Sequence, residues 1–271
     1  MRTADFLQPA MEANGGQILS ELVLDEMLRR RLNTAEITLT QAMLDAERDI
    51  LSQTLSPDDE NQAARLLAEL RERRGWGEVR FDALLRRNAG LRALVDDRVA
   101  VNDAALQQAY RLQHGPSSRV RLILAESLSE TQSLRKRVVE GGEPFGEVAA
   151  IESADVSAAQ GGLLSPIRPD DTSYPAAMRT AVADLAVGEI SQPVAIDGGF
   201  ALLKLQENLP GSGVEFSEVR AALELTVRGR AERVLMQQLA RELISGADLV
   251  VLDPTLKALW EAQRESLLRP Q

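Results

Sequence analysis

The stretch QPVAIDGGFALLKLQ, residues 192–206, decides the fold class of the chain. At its centre Asp197-Gly198 supplies the positive φ that a tight turn needs, and the apolar residues on both sides predict the two strands of a hairpin. Upstream, Gly161-Gly162 precedes an apolar run from Leu163 to Ile167. The segment between these motifs, from Tyr174 to Leu185, has a helical pattern. A hairpin beside a short helix predicts a small α+β domain.

Two turn-rich segments mark the boundaries of this domain. Residues 114–118, HGPSS, end the preceding helical pattern, and Val120–Leu124 then reads as a strand. Ser129-Glu130-Thr131-Gln132 has the spacing of a capping box and predicts the start of a helix. Residues 208–213, NLPGSG, are rich in residues that cannot continue a strand or a helix. We therefore place the α+β domain at residues 117–207.

The N-terminal part, residues 1–116, is predicted to be helical throughout. Thr40 is a candidate cap for its second helix, and Ser56-Pro57 with the acidic residues that follow is a strong start for a third. Two further helical segments are predicted at residues 81–87 and 91–99. No alternating strand pattern interrupts this part of the sequence.

The C-terminal part, residues 208–271, contains a long amphipathic helix. Ser217 is its predicted cap, and apolar residues recur at every fourth position from Val219 to Leu243. Gly229 lies within this row and allows a kink or a close helix crossing. Asp253-Pro254 predicts the start of a final helix. A single helix cannot bury such a stripe, so we expect these helices to pack on the N-terminal part.

The composition excludes several classes of protein and of site. The formal net charge of −10, from 41 acidic against 31 basic residues, opposes a phosphate-binding surface and argues against nucleic acid as a partner. The chain has no cysteine and one histidine, His114, so we expect no metal centre, no catalytic triad and no cofactor. No run of about 18 apolar residues predicts a membrane span. The first residues also lack the apolar core of a signal peptide; if the protein is exported, its signal or anchor is absent from this chain.

The motifs of the α+β domain resemble those of the parvulin family of peptidyl-prolyl cis-trans isomerases. The resemblance is carried by GGLL at 161–164, ADLAVGEISQPV at 183–194 and GGFALLKL at 198–205, in this order and spacing. It implies an FKBP-like α+β fold for residues 117–207. The flanking helices resemble, in architecture, the chaperone part of exported parvulins such as SurA and PrsA. This implies one all-helical, SurA-like domain that is built from the N- and C-terminal segments and carries the parvulin-like domain as an insert.

Carried over position by position, the resemblance places the two active-site histidines of the family at Leu122 and Ala201, so both imidazoles are missing. The acidic or thiol position of the family falls on Asp155, which makes this carboxylate the catalytic candidate. The residues expected to contact the substrate are Leu122, Leu164, Tyr174, Met178 and Ala201. Two alternatives stay open: the apolar residues are core residues that close the former pocket, and Asp155 caps its own turn.

Three functions compete. The first is a folding factor of the exported parvulin type, which binds unfolded or Pro-containing client proteins with weak or absent isomerase activity. The second is an active prolyl isomerase, because the catalysed step is rotation across a barrier of about 18–20 kcal/mol and requires no proton transfer. The third is a helical scaffold or assembly protein that forms a homodimer and keeps the parvulin domain as a spacer. The resemblance also implies a periplasmic or other extracytoplasmic location.

Overall fold

The computed structural model describes the backbone of residues 3–268 and the side chains of residues 11–267. This part of the chain contains ten α-helices and three strands. They are α1 (Thr3–Thr34), α2 (Gln41–Leu55), α3 (Glu60–Arg74), α4 (Glu78–Val95), α5 (Asp103–His114), β1 (Ser117–Ala125), α6 (Leu128–Val139), α7 (Phe145–Glu152), α8 (Ala176–Ala183), β2 (Val194–Ile196), β3 (Gly199–Leu209), α9 (Phe216–Ser245) and α10 (Pro254–Leu268). Short 3-10 helices follow α4 at Asp96–Arg98 and α7 at Val156–Gln160.

The contacts divide the chain into two compact units. The helical unit extends to Ala100 and resumes at Arg228, so it contains α1 to α4, the second part of α9, and α10. The sheet unit, Val101–Val227, contains the three strands, α5 to α8 and the first part of α9. The predicted α+β domain at 117–207 lies within the sheet unit, and its boundaries stay a prediction.

The core of the helical unit lies between α1, α4 and the second part of α9. Leu28 and Leu32 of α1 are buried against Val95 at the end of α4 and against Leu239 of α9. A second buried cluster joins α1, the end of α9 and Trp260 of α10. The apolar stripe of α9 within this unit is therefore covered by helices from the N-terminal part.

Gly15 and Gly16 allow α1 and α10 to cross closely. A Cβ on Gly15 would lie 2.6 Å from Leu256 Cδ2, and one on Gly16 would lie 3.0 Å from the carbonyl oxygen of Leu259. A larger residue at Gly15 would displace the Leu256 side chain, and one at Gly16 would press against the backbone of α10. Of the two alternatives at Gly229, a kink or a close helix crossing, the crossing is wrong, because a Cβ there meets no described atom within 4 Å; the kink stays a prediction. The apolar row along α9 does not specify whether Gly229 faces another helix, because that depends on helices elsewhere in the chain.

A buried ion network connects α2, α4 and α9 in the helical unit. The guanidinium of Arg92 pairs with the carboxylates of Glu47 and Glu232, which are 3% and 10% exposed. Arg228 adds a second cation beside Glu232 at 2.9 Å. The hydrogen bonds to Glu47 hold the pKa of the Arg92 guanidinium above its usual value. Each buried carboxylate thus has a cation beside it, and removal of Arg92 would leave Glu47 without its partner.

The sheet unit is built on an antiparallel sheet in the order β1-β3-β2. Leu122 lies opposite Leu203 and Leu124 lies opposite Ala201. Because side chains alternate along a strand, one sheet face packs on α8 and the other on α6 and α7. The α8 side carries Val120, Leu122, Ala201, Leu203 and Leu205, and the opposite side carries Ile123, Ala125 and Leu202. The predicted hairpin is confirmed, with Gly198 at a φ of 90°.

Some predicted helix starts are confirmed and others are wrong. The side chains of Thr40 and Asp253 accept a backbone N–H three residues further on, as expected. Ser127, and not Ser129, caps α6, with its hydroxyl accepting a backbone N–H at 3.2 Å. The capping pattern fits both serines, and only the position of the strand before them decides between the two. Ser217 lies inside α9, which begins one residue earlier.

The predicted fold class, α+β with helical segments before and after the sheet, is confirmed. The segments predicted at 81–87 and 91–99 are one helix, α4, which ends at Val95 and is followed by the 3-10 helix Asp96–Arg98. Gly90 lies within that helix, and a Cβ there would meet Leu28 and Leu32 at 3.0 Å. Close packing thus outweighs the low helix propensity of glycine. Between residues 3 and 268, no helix combines the length and apolarity that crossing a membrane requires.

Candidate functional site

The candidate site lies on the sheet face that α8 covers, where residues 161–167 run along the free edge of β1. The N–H of Leu122 donates to the carbonyl of Gly162 at 2.8 Å, and the N–H of Leu164 donates to Val120 at 3.0 Å. Gly162 has a φ of 76°, and a Cβ there would collide with the Leu122 carbonyl oxygen. Only glycine fits this conformation beside the strand. The edge segment therefore holds Leu164 in a fixed place next to β1.

The five predicted contact residues come together in one apolar cluster. These residues are Leu122, Leu164, Tyr174, Met178 and Ala201. Their exposure divides them into two groups. Leu122, Met178 and Ala201 are 4%, 2% and 0% exposed, whereas Leu164 and Tyr174 are partly exposed. A ligand at the surface reaches the second group, while the first group supports that surface from below.

The two positions that the resemblance assigns to histidines lie on neighbouring strands and face the same way. Ala201 is opposite Leu124, and Leu124 is two residues from Leu122. Leu122 and Ala201 are therefore diagonal neighbours under α8. Both side chains are aliphatic, and the cluster around them contains Leu203 and Met178. Neither position can donate a hydrogen bond from its side chain or carry a proton.

Asp155 begins the 3-10 helix that follows α7. Its carboxylate accepts the N–H of Ser157 at 2.8 Å, which is the capping bond expected of an Asp in a turn. The hydroxyl of Ser153 accepts N–H bonds from Leu124 at 3.0 Å and from Asp155 at 3.3 Å. These bonds hold the loop against β1. Asp155 thus has a structural role that does not depend on any ligand.

Tyr174 lies just before α8, at the rim of the cluster. Its hydroxyl donates to the carbonyl oxygen of Ser165 at 3.1 Å. Burial raises the pKa of Tyr174, and the carboxylates of Asp171 and Asp155 act in the same direction. The Ser173 hydroxyl and N–H lower the pKa of Asp171, so that carboxylate is charged at neutral pH. Tyr174 therefore presents a neutral aromatic ring whose proton is already hydrogen-bonded.

The rim includes three residues that sequence reasoning misses. Leu185, Val194 and Ile196 are partly buried against the same cluster. Val194 and Ile196 are two positions apart on β2, and this alternation is the signal that places them on one face. Together they extend the apolar surface from α8 to the edge of the sheet.

His114 does not take part in this site. It lies at the end of α5, stacked on Tyr110 with 5.4 Å between ring centroids, and its Nδ1 is 3.0 Å from the Ser212 hydroxyl. This position precedes the first residue of β1, whereas Ala201 pairs near the last residue of that strand. Among the described residues, no group of three or more His, Asp or Glu side chains is arranged to hold a metal ion.

Comparison with known protein families identifies the sheet unit. The family model described as the rotamase, PPIC-type PPIase domain, matches residues 122–207. These residues form a parvulin-type domain. The match begins at Leu122 in β1 and continues through β3, so it includes all the predicted site positions of the parvulin domain.

Longer relatives and solved structures extend the comparison beyond the parvulin domain. The chain is 29% identical to the chaperone SurA of Pseudomonas aeruginosa over 152 residues, which are 53% of this chain and 36% of that protein. It is 22% identical to the foldase protein PrsA 4 of Bacillus cereus over 262 residues, or 94% of this chain and 84% of that protein. The chain thus spans about a third of the SurA relative and most of the PrsA relative. A crystal structure of the peptidylprolyl isomerase PrsA from Bacillus anthracis matches with a TM-score of 0.51 at 18% identity, covering 87% of this chain and 100% of that one, which shows a shared fold.

Proposed function

We propose that this protein is a folding factor of the exported parvulin type, which binds unfolded or Pro-containing polypeptide with weak or absent prolyl isomerase activity. The observation that carries the proposal is the burial of aliphatic side chains at both histidine positions, Leu122 and Ala201, which are 4% and 0% exposed. The cluster that encloses them leaves an apolar surface above it. Binding is therefore better supported than catalysis.

The client-binding surface consists of Leu164 and Tyr174, with Val194 and Ile196 at its edge. A proline ring packs on the aromatic face of Tyr174, because both are rigid and apolar and neither loses much conformational entropy on contact. Val156, which follows Asp155, is 94% exposed and is available for a further apolar contact. These contacts suit an extended X-Pro segment, which is the conformation that proline imposes on its neighbour.

The isomerase step is weakly supported at this surface. Rotation about an X-Pro bond requires stabilisation of a twisted amide against a barrier of about 18–20 kcal/mol. Of the five predicted contact residues, Tyr174 alone carries a strong donor in its side chain, and that donor is bound to the Ser165 carbonyl. Partial removal of water from the X-Pro amide can still support slow cis-trans isomerisation.

The relatives described above agree with a role in protein folding, since they are a chaperone, SurA, and a foldase protein, PrsA. We place the protein outside the cytoplasm, in line with its resemblance to exported parvulins. A homodimer stays a prediction, and sedimentation equilibrium of the full chain tests it. A tight dimer that binds no unfolded or Pro-containing peptide would support the scaffold function instead.

Exchange spectroscopy on an Ala-Pro peptide tests the proposal with the full chain. We expect the peptide to shift the amide signals of Leu164 and Tyr174. We also expect cis-trans exchange of its Ala-Pro bond to be far slower with this chain than with a parvulin that has both histidines. Leu164→Ala weakens binding. Leu128→Ala is the matched control, because Leu128 is 43% exposed at the start of α6, on the other side of the sheet. Acceleration equal to that of the intact parvulin would establish the active isomerase.

A further inference from the structure

The helical unit contains a cleft of about 400 Å³ between α1, the second part of α9, and α10. Its lining combines an apolar floor with polar walls. The floor includes Leu24, Ile244 and Leu267, and the walls include Gln237, Arg241 and Gln263. Leu24 and Ile244 are buried, at 8% and 4% exposure, so the floor is fixed by the core of the unit.

The charge in this cleft is not balanced. Two of the charged residues that line it are already paired: Glu21 binds Arg80 at 2.8 Å, and Arg87 binds Asp25 at 2.6 Å. Arg241 has no hydrogen-bond or ion-pair partner within the described part of the chain. No acidic residue stands three or four positions from it along α9 either. The cleft therefore presents an uncompensated guanidinium beside an apolar floor.

The carboxamides beside Arg241 add unused hydrogen-bonding groups. Gln237 lies one helical turn before Arg241 on α9, and Gln263 faces the cleft from α10. Between residues 11 and 267 no side-chain partner is found for either amide. Each amide can donate and accept, which matches the alternating N–H and C=O groups of an extended peptide.

We propose that this cleft binds an extended polypeptide segment in which an acidic side chain adjoins an apolar one. The apolar side chain packs on Leu24 and Ile244, the carboxylate binds the guanidinium of Arg241 through two parallel hydrogen bonds, and the amides of Gln237 and Gln263 bind the main chain. The site goes beyond the proposed function, which places client binding on the parvulin domain. Because the guanidinium of Arg241 is unpaired within the described residues, the cleft favours a segment that carries a carboxylate. The volume, about 400 Å³, fits a few residues and not a folded partner.

The experiment uses the full chain and a peptide labelled at its N-terminus, fluoresceinyl-Gly-Leu-Glu-Leu-Gly-amide, with a second labelled peptide that has glutamine in place of glutamate. Fluorescence anisotropy at low salt should show about tenfold tighter binding of the acidic peptide, since a charge-assisted hydrogen bond is lost with glutamine. The difference should decrease as salt is added. Arg241→Gln should abolish the preference between the two peptides, and Arg241→Lys should keep part of it.

A matched control and a folding control accompany these variants. Arg233→Gln removes another exposed arginine of α9 that does not line the cleft, and it should leave both affinities unchanged. Arg241 has no hydrogen-bond or ion-pair partner within the described residues, so its substitution removes no polar contact. The fluorescence of Trp260, which lies in the same unit, verifies that the variant is folded.

Three results would overturn the inference. The first is equal binding of the two peptides, or no binding of either, by the unmodified chain. The second is an unchanged preference in Arg241→Gln, and the third comes from a variant of the parvulin domain. Tyr174→Ala separates this inference from the proposed function: it should weaken binding of the Ala-Pro peptide and leave that of the acidic peptide unchanged. If Tyr174→Ala removes binding of the acidic peptide, that peptide occupies the parvulin domain and the cleft is not its site.

Discussion

Truncation of Leu122 tests whether this position, which the parvulin resemblance assigns to a histidine, belongs to the core. Leu122 is 4% exposed in the α8 cluster, and a Leu→Ala change at such a site costs about 3 kcal/mol, within a usual range of about 2–5. Hydrogen exchange is the suitable assay, because both tryptophans, Trp76 and Trp260, lie in the helical unit and report on that unit only. Protection of the amides in β1 and β3 should decrease by a factor on the order of 100.

Truncation of Tyr174 should reduce peptide binding more than it reduces the stability of the parvulin domain. Tyr174 is partly exposed, so Tyr174→Ala should cost about 1–2 kcal/mol from lost burial and the lost bond to Ser165. The affinity for an Ala-Pro peptide should decrease at least about tenfold, since the ring is removed. Tyr174→Phe keeps the ring and should bind nearly as well as the unmodified chain.

One outcome would refute this division between core and surface. If Leu122→Ala leaves the exchange of β1 and β3 unchanged but abolishes peptide binding, Leu122 is a ligand contact and the cluster is open. The same measurement on Leu128→Ala supplies the baseline, because that side chain is 43% exposed.

Further perturbations test other parts of the structure. Gly162→Ala should destabilise the parvulin domain by about 2 kcal/mol or more, from left-handed strain and collision with the Leu122 carbonyl, and normal exchange protection in β1 would contradict this. Trp260→Ala should destabilise the helical unit by about 3–5 kcal/mol in thermal unfolding followed by the remaining tryptophan, because its side chain is 4% exposed. Arg92→Met should cost about 3–5 kcal/mol, and neutralising its two carboxylate partners in the same chain should recover part of that loss. Hydrogen bonds from two arginines lower the pKa of Glu26 from 4.5 to about 2. The stabilisation from this pairing is complete above pH 4.5 and is lost as the pH falls towards about 2; an NMR titration midpoint near 4.5 would contradict it.

Local signals made much of the fold predictable. Asp197-Gly198 specifies its hairpin because the turn conformation depends on those two residues alone. The helix starts at Thr40 and Asp253 were also predictable, because a cap bonds a backbone N–H only three residues further on. The close crossing at Gly15-Gly16 was not, since the neighbour that requires it lies in α10, far along the chain. The choice between Ser127 and Ser129 likewise depends on where β1 ends.

The positions of the candidate site were easier to predict than their exposure. The register of β1 and β3 brings Leu122 and Ala201 onto one face, and alternation along a strand suffices to predict this. Whether these side chains meet solvent depends on how α8 lies over them, which the sequence pattern does not specify. Val194 and Ile196 share one face of β2, but in a strand of three residues this alternation does not stand out from the surrounding sequence.

The residues that carry the family resemblance are also those that the fold requires. Gly199 has a φ of 145°, and a Cβ there would collide with the Ala125 carbonyl oxygen. Ser191 is 5% exposed, and its hydroxyl accepts the N–H of Leu203 at 3.0 Å. Gly188, at a φ of 89°, donates its N–H to the carbonyl of Leu205 at 2.7 Å. A family match at such residues therefore indicates a shared fold and not a shared active site. The side chains of Leu122 and Ala201 make no comparable bond, so the scaffold can form with any residues that pack there. An intact parvulin fold is therefore compatible with aliphatic side chains at the two positions that the resemblance assigns to histidines.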